Sequence, residues 1–246
     1  MLGNTLIMNK LIESISWKTL SSHSFVVLLL AFIALLYFNP LLSGKVLLQS
    51  DIQQYKSMSR QMKEAREASP PVETYWIDNS FLGMPTYQLG AEYPADFLMP
   101  FYYITRILPR PAHLLFLYFL GGYLLFSVLG LRRTYAIMGA LSFGFSTYLL
   151  IILQVGHNTK AEAIGYFPFV LAGLLLLLQN KRLMGWLLST LALGMQIRAN
   201  HYQMTYYLLF LLFIFGLVYF LEAFKNKNVI NFLSQIILFV IAAILA

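Results

Sequence analysis

Three short polar segments interrupt an otherwise apolar chain, and their side chains have the types that do chemistry. The first holds Asp51 with Gln53 and Gln54, the second covers residues 156–162, and the third covers residues 198–203. Ionisable groups at membrane depth are costly, and they usually line a cavity or a site. The three segments are therefore the first candidates for a functional site.

The carboxylate of Asp51 lies just outside the first apolar run. An ionised carboxylate in that place could accept the proton of an incoming hydroxyl group. It could equally hold a divalent cation together with other oxygens, although no cofactor is predicted. The structural alternative is that Asp51 caps or opens a helix, because aspartate is common where backbone N–H groups are free.

The second and third segments add positive charge and hydrogen-bond donors. Lys160 and Arg198 carry fixed charges, while His157 and His201 can donate hydrogen bonds or titrate near neutral pH. A basic cluster beside one carboxylate suits a phosphate leaving group and a nucleophile that approaches it. This pattern favours group transfer from a phosphate.

Each of these segments also has a structural explanation. Lys160 and Glu162 could sit at a helix end and compensate each other's charge. Residues 198–203 could form a polar hairpin, but four hydrogen-bonding side chains in six residues exceed what a turn needs. If the helix instead continues past Arg198, then Arg198 and His201 are three residues apart and share a face.

The elements that must position these groups are apolar helices. The chain is 59% hydrophobic and 11% charged, which is too apolar for a soluble domain and predicts an all-α, polytopic membrane bundle. The absence of cysteine excludes disulfides and thiolate metal sites. Runs of about 18 apolar residues mark membrane spans. The sequence predicts about seven: 25–42, 113–131, 135–155, 161–178, 183–197, 204–221 and 229–246.

The spacing of these runs divides the chain into four parts. Residues 1–24 form an amphipathic N-terminal segment, 25–42 the first span, 43–112 a long outer loop and 113–246 the transmembrane bundle. In the loop we expect a helix over 51–68, ended by Ser69-Pro70-Pro71, and an interfacial helix over 95–108. The fifth span is short, and the seventh reaches the last residue, which predicts the front portion of a longer protein.

The orientation follows from basic residues in short loops. Only Lys160 and Arg198 lie in the short connections on one side, whereas eight basic residues flank the spans on the other side. The N-terminus is therefore expected in the cytoplasm, with all three polar segments outside. The charges are dispersed, so a nucleic-acid partner is not expected, while membrane lipids are. The eight residues are Lys10, Lys18, Arg132, Arg133, Lys181, Arg182, Lys225 and Lys227.

Several short motifs resemble the YfhO family of bacterial membrane proteins, and the layout is similar to the wider GT-C glycosyltransferases. The likeness extends over nearly the whole chain. It rests on Ser50-Asp51-Ile52-Gln53-Gln54-Tyr55, Trp76, Gly83-Met84-Pro85-Thr86, Gly156-His157-Asn158-Thr159-Lys160 and residues 198–203.

The resemblance implies transfer of a sugar from a polyprenyl-phosphate donor to a cell-envelope glycan or protein, at the outer face of the bacterial cytoplasmic membrane. In that superfamily an acidic residue of the first outer loop is catalytic, and Asp51 has the matching place. Asp78, Glu73, Glu92 and Asp96 are the other acidic candidates. The expected substrate-binding residues are His157, Asn158, Lys160, Glu162, Arg198, His201 and Gln203.

Two other classes of function remain open from the sequence. A transporter or flippase for a lipid-linked saccharide would use the same cations without breaking a bond. A non-catalytic scaffold would use the polar segments merely as helix caps. A transporter is expected to have inverted repeats and polar groups near the midplane of the bilayer. In this chain the polar groups lie at the ends of the predicted spans.

Overall fold

The computed structural model describes residues 17–92 and 96–246, without the side chains of 17–20 and 88. Apart from one small hairpin, the secondary structure of this part is helical, so the all-α prediction is confirmed. Most of the predicted N-terminal segment 1–24, including Lys10, lies outside the described residues.

The described residues form twelve α-helices, two short 3-10 turns and one antiparallel hairpin. The 3-10 turns are Asn39–Ser43 and Thr86–Leu89, and the hairpin pairs β1 (Trp76–Ile77) with β2 (Met84–Pro85). The helices are α1 (Trp17–Tyr37), α2 (Ser50–Met58), α3 (Arg60–Glu67), α4 (Met99–Ile104), α5 (Ala112–Val128), α6 (Arg133–Gly144), α7 (Thr147–Val155), α8 (Asn158–Gly165), α9 (Phe167–Leu178), α10 (Arg182–Arg198), α11 (Tyr202–Lys225) and α12 (Val229–Leu245).

Each predicted span coincides with a helix or a pair of helices, but fewer are long enough to cross a membrane. Two continuous helices, Asn158–Leu178 and Tyr202–Lys225, have the required length and apolar character. A third span results if α6 and α7, which meet at a bend of 49°, are counted together. The described part of the chain therefore holds two or three candidate spans, and the apolar helices α1, α5 and α12 are shorter.

The long helix Asn158–Leu178 is the centre of the bundle, with 78% of its apolar window buried. Its second half, α9, packs along α10, and α5 packs against α6, α9 and α1. Small residues permit the close approach between α9 and α10: a Cβ at Gly173 would lie 2.8 Å from the backbone nitrogen of Ser189. By contrast, only 6% of the window in α11 is buried.

The outer loop is a small folded unit with its own core of Met62, Ile77 and Leu89. Its first helix breaks at Ser59 into α2 and α3 instead of running continuously over 51–68. The predicted interfacial helix 95–108 is also shorter than expected, because α4 ends at Ile104 and the approach to Pro109 turns away from helical geometry.

Contacts between turns define the two ends of the bundle. At one end, Gln179 Nε2 donates to the carbonyl of Val128, and Arg182 donates to Asn231 Oδ1. We call this the basic end, because it carries Arg132, Arg133, Lys181, Arg182, Lys225 and Lys227. At the other end, the polar end, the outer loop packs on the connections that hold the second and third polar segments, as described next.

Candidate functional site

The start of α2 is fastened to the end of α7. Gln49 is buried, and its Nε2 donates to the carbonyl of Leu153 at 2.6 Å, which satisfies a group that the helix end leaves free. Gly156 follows with φ of 97°, and a Cβ there would lie 2.7 Å from the Cβ of Gln49. Glycine thus permits both the left-handed turn and the close approach. The first turn of α2 consequently lies beside the start of α8.

This docking brings the first and second polar segments into direct contact. Asp51 Oδ2 lies 2.5 Å from His157 Nδ1. Asp51 occupies the first turn of α2, while the capping position belongs to Gln49. The carboxylate therefore engages a side chain from another helix, in addition to its favourable place near the helix N-terminus.

The third segment approaches the same place through His201. Burial, together with the positive charges of Lys160 and His157, lowers the pKa of His201. This shift favours the neutral imidazole, and its buried Nδ1 has no hydrogen-bond partner in the described part of the chain. The Lys160 ammonium lies 5.3 Å from the centre of the Tyr148 ring. We call Asp51, His157, Lys160 and His201 the histidine cluster.

A second group of charges lies where α4 meets the bundle. Arg198 donates from Nε and Nη2 to the same oxygen of Asp96, at 2.8 and 2.6 Å. Arg106 donates from Nη2 to Glu162 Oε2 at 2.8 Å. Both guanidinium groups also lie 3.9 Å from the centre of the Tyr102 ring, within cation–π distance. We call these five residues the arginine cluster.

The arginine cluster neutralises its own charges. The hydrogen bonds from Arg198 hold the pKa of Asp96 below its ordinary value, so this carboxylate is ionised at neutral pH. The side chain of Glu162 is only 9% exposed, and Arg106 supplies its counter-charge. Arg198 is therefore engaged by a carboxylate, and it does not present a free charge to a phosphate.

Two of the alternatives that the sequence left open differ from this geometry. Glu162 pairs with Arg106 instead of Lys160, because residues two apart on a helix point to different sides. Arg198 and His201 do not share a helical face, since α10 ends at Arg198 and Asn200 has φ of 58°. The turn sends Arg198 to Asp96 and His201 towards Lys160.

The remaining predicted residues lie outside these pairings. Both polar side-chain atoms of Asn158 are buried and have no hydrogen-bond partner in the described part of the chain. Gln203 donates to the hydroxyl of Tyr207 on its own helix, at 2.8 Å. The other acidic candidates serve the loop: Glu73 pairs with Arg66, Glu92 lies 3.7 Å from the same arginine, and Asp78 accepts from Trp76.

Sequence reasoning missed Gln49, Tyr102 and Arg106. Tyr102 and Arg106 are four residues apart, a spacing at which side chains meet on a helical turn. Their contact could therefore have been predicted from the sequence. Gln49 gives no signal in the sequence, because its partner is a carbonyl 104 residues away.

The histidine cluster does not coincide with a group of metal ligands or with either of two cavities in the described part of the chain. The described residues contain no group of three or more His, Cys, Asp or Glu side chains that could hold a metal. Two cavities, of about 660 and 180 Å³, lie at the basic end, around the turn between α11 and α12. A divalent cation beside Asp51 thus stays a prediction.

Comparison with known proteins adds nothing to this geometry: no family model, no curated protein and no solved structure matches the chain. The reasoning about function rests on the residues themselves.

Proposed function

We propose that this chain is an inverting membrane glycosyltransferase with a GT-C-like bundle, which transfers a sugar from a polyprenyl-phosphate donor to an extracytoplasmic acceptor. The observation that carries the proposal is the contact between Asp51 and His157 beside Lys160. Asp51 and His157 form a pair that can take up a proton, and Lys160 is a cation that can stabilise a departing phosphate.

The proposed reaction has a simple balance. A hydroxyl oxygen of the acceptor forms a bond to the anomeric carbon of the donor sugar, and its proton passes to the Asp51–His157 pair. The bond between that carbon and the phosphate oxygen breaks, and the electron pair leaves with the polyprenyl phosphate. Lys160 stabilises the charge that develops on this leaving group.

The ends of the bundle support a defined orientation. The outer loop, which holds the first polar segment, meets the other two at one end, through Asp51 with His157, Asp96 with Arg198, and Asn200 with the carbonyl of Tyr87. The basic end carries six Lys and Arg side chains. By the positive-inside rule we place the basic end in the bacterial cytoplasm and the histidine cluster outside.

The proposal includes about seven crossings of the cytoplasmic membrane. A helix of 17 residues, such as α5, is about 25 Å long, slightly short of a typical hydrocarbon core of about 30 Å. A modest local thinning of the bilayer accommodates such helices. The sugar acceptor, a glycan or protein of the cell envelope, would then reach the cluster from outside.

A transporter or flippase of a lipid-linked saccharide is the competing function. The positions of the charged groups favour transfer: Asp51 lies in the first turn of α2, and His157 and His201 directly precede α8 and α11. Transport sites usually lie near the midplane between broken helices. A scaffold, in turn, has no need for an accessible carboxylate–imidazole pair.

Proteoliposomes test the proposal directly. They would contain the purified chain, a cell-envelope fraction as the source of acceptor hydroxyl groups, and polyprenyl phosphates that carry tritiated glucose, galactose or N-acetylglucosamine, each tested separately. We expect release of polyprenyl phosphate, and a loss of about a hundredfold or more in Asp51→Asn. Asp78→Asn is the matched control, because this loop carboxylate bonds to Trp76 outside the cluster. Movement of intact donor across the bilayer without cleavage would establish transport instead.

A further inference from the structure

The contact between Asp51 and His157 fixes which ring nitrogen carries a proton. An ionised carboxylate only accepts hydrogen bonds, so Nδ1 of His157 must donate to Asp51 Oδ2 across their 2.5 Å separation. In the neutral imidazole, Nε2 then holds a free lone pair. Asp51 thus selects the tautomer whose basic nitrogen points away from the carboxylate.

Accessibility also separates the two members of the pair. The side chain of His157 is 55% exposed, whereas that of Asp51 is 26% exposed and is partly covered by its imidazole partner. Lys160, on the first turn of α8, and His157 both act electrostatically on His201, which precedes α11. An incoming hydroxyl group therefore meets the imidazole before it meets the carboxylate.

We propose that His157 Nε2 is the proton acceptor of the transfer reaction and that Asp51 is the positioning residue that holds it. This inference rests on the proposed function above. The acceptor oxygen bonds to the anomeric carbon while its proton goes to Nε2, and the electron pair of the broken bond leaves with the phosphate. Asp51 stabilises the imidazolium that results.

General acid–base chemistry favours this assignment. A general base works best when its pKa is close to the working pH. Imidazoles ordinarily titrate at about pH 6.5 and aspartates at about 3.9, so an imidazole is the stronger base for a hydroxyl group near neutrality. The sequence pointed to Asp51 alone, because the chain separation between Asp51 and His157 hides their contact.

Two substitutions at His157 separate the roles. The amide nitrogen of His157→Asn takes the place of Nδ1 and keeps a donor for Asp51, but it removes the basic Nε2. His157→Gln places its amide near Nε2 and loses the donor. If His157 is the acceptor, both variants lose donor cleavage by about a hundredfold or more. If Asp51 is the acceptor, His157→Asn stays active and His157→Gln is impaired.

Two measurements on the unsubstituted protein test the assignment even if the His157 variants fail to fold. Nitrogen NMR of labelled histidine, with His157 assigned by its loss in His157→Asn, should show the Nδ1–H tautomer, and Asp51→Asn should shift it towards Nε2–H. Donor cleavage should fall on acidification, because a proton on Nε2 removes the basic lone pair.

Each result decides one question. Cleavage by His157→Asn within threefold of the unsubstituted protein, or an Nε2–H tautomer, would overturn the assignment of His157 while leaving glycosyl transfer intact. If the unsubstituted chain cleaves none of the three donors, the proposed function fails, and the assignment falls with it.

Discussion

The two charged clusters at the polar end use similar side chains in opposite ways. In the arginine cluster, each guanidinium group has a carboxylate partner, and both contact Tyr102. In the histidine cluster, one carboxylate faces an accessible imidazole, beside a lysine that has no carboxylate partner in the described part of the chain. Satisfied charges stabilise a structure, whereas unsatisfied ones are available for a ligand.

This difference assigns separate tasks to parts of the same helix. Lys160 belongs to the histidine cluster and Glu162, two residues later, to the arginine cluster, because the two side chains point to different sides of α8. The arginine cluster holds the outer loop in place, and the histidine cluster has the accessible groups on which the proposed reaction depends. Variants in the two clusters should therefore change stability and activity separately.

The largest change in stability is expected for Arg106→Gln. It leaves the buried carboxylate of Glu162 without its counter-charge, which costs about 3 kcal/mol. Titration with sodium dodecyl sulfate would measure the free energy of unfolding. Arg60→Gln is the control, since the pair of Arg60 and Glu64 is exposed and should contribute less than about 1 kcal/mol. Equal effects of the two substitutions would contradict a structural role for the arginine cluster.

Lys160→Gln should lower activity and leave stability nearly unchanged, the reverse of Arg106→Gln. We expect donor cleavage to fall about a hundredfold, because charge that develops on the phosphate loses its nearest free cation. Stability in the same detergent titration should change little. Lys56→Gln, an exposed position on α2, serves as the control. An unchanged rate constant for Lys160→Gln would remove this lysine from the mechanism.

Gly156→Ala tests the docking that joins Asp51 to His157. The new Cβ meets both a strained left-handed backbone and the Cβ of Gln49, which together cost about 2 kcal/mol. Gly130→Ala shares the left-handed backbone, with φ of 82°, but meets no atom within 4 Å. Only Gly156→Ala should reduce donor cleavage. The opposite result would show that the contact with Gln49 does not position the histidine cluster.

The smallest effect is expected from acidification, which weakens the pairing of Asp96 with Arg198. The pKa of Asp96 is lowered by its hydrogen bonds from Arg198, so its contribution to stability is present above its ordinary pKa and is lost as the pH falls through the lowered value. A spin label on Phe97→Cys reports on this position alone, because the chain has no other cysteine, and it should become more mobile as the pH falls through the lowered pKa of Asp96. In an Asp96→Asn background, the label should be mobile at pH 7 already.

The apolar runs predicted the helices well, since the composition of each run determines its local structure. The apolar average over residues 135–155 hid the bend between α6 and α7, which falls at Gly144, Phe145 and Ser146. In the described part of the chain two or three helices have the length of a span, so the prediction of about seven crossings is not confirmed.

The site was predictable in outline but not in its pairings. Charge counting grouped the three polar segments, and the second and third do contact the outer loop, which holds the first. Which acid meets which base depended on how that loop docks. Asp96 and Arg198 are 102 residues apart, and Arg106 and Glu162 are 56 apart, separations over which no sequence periodicity operates. The pairing of Arg198 with a carboxylate could therefore not be predicted from the sequence.

The bend between α6 and α7 links the height of the polar end to the thickness of a surrounding bilayer. The end of α7 holds Gln49 and is followed, after Gly156, by His157, so the start of α2 and its histidine partner are both attached to this helix. A thicker bilayer favours a straighter pair of helices. Straightening would carry Leu153, Asp51 and His157 outwards together and would leave their contact intact. Acyl-chain length in the surrounding lipid would then change the depth of the proposed proton acceptor without changing its partner.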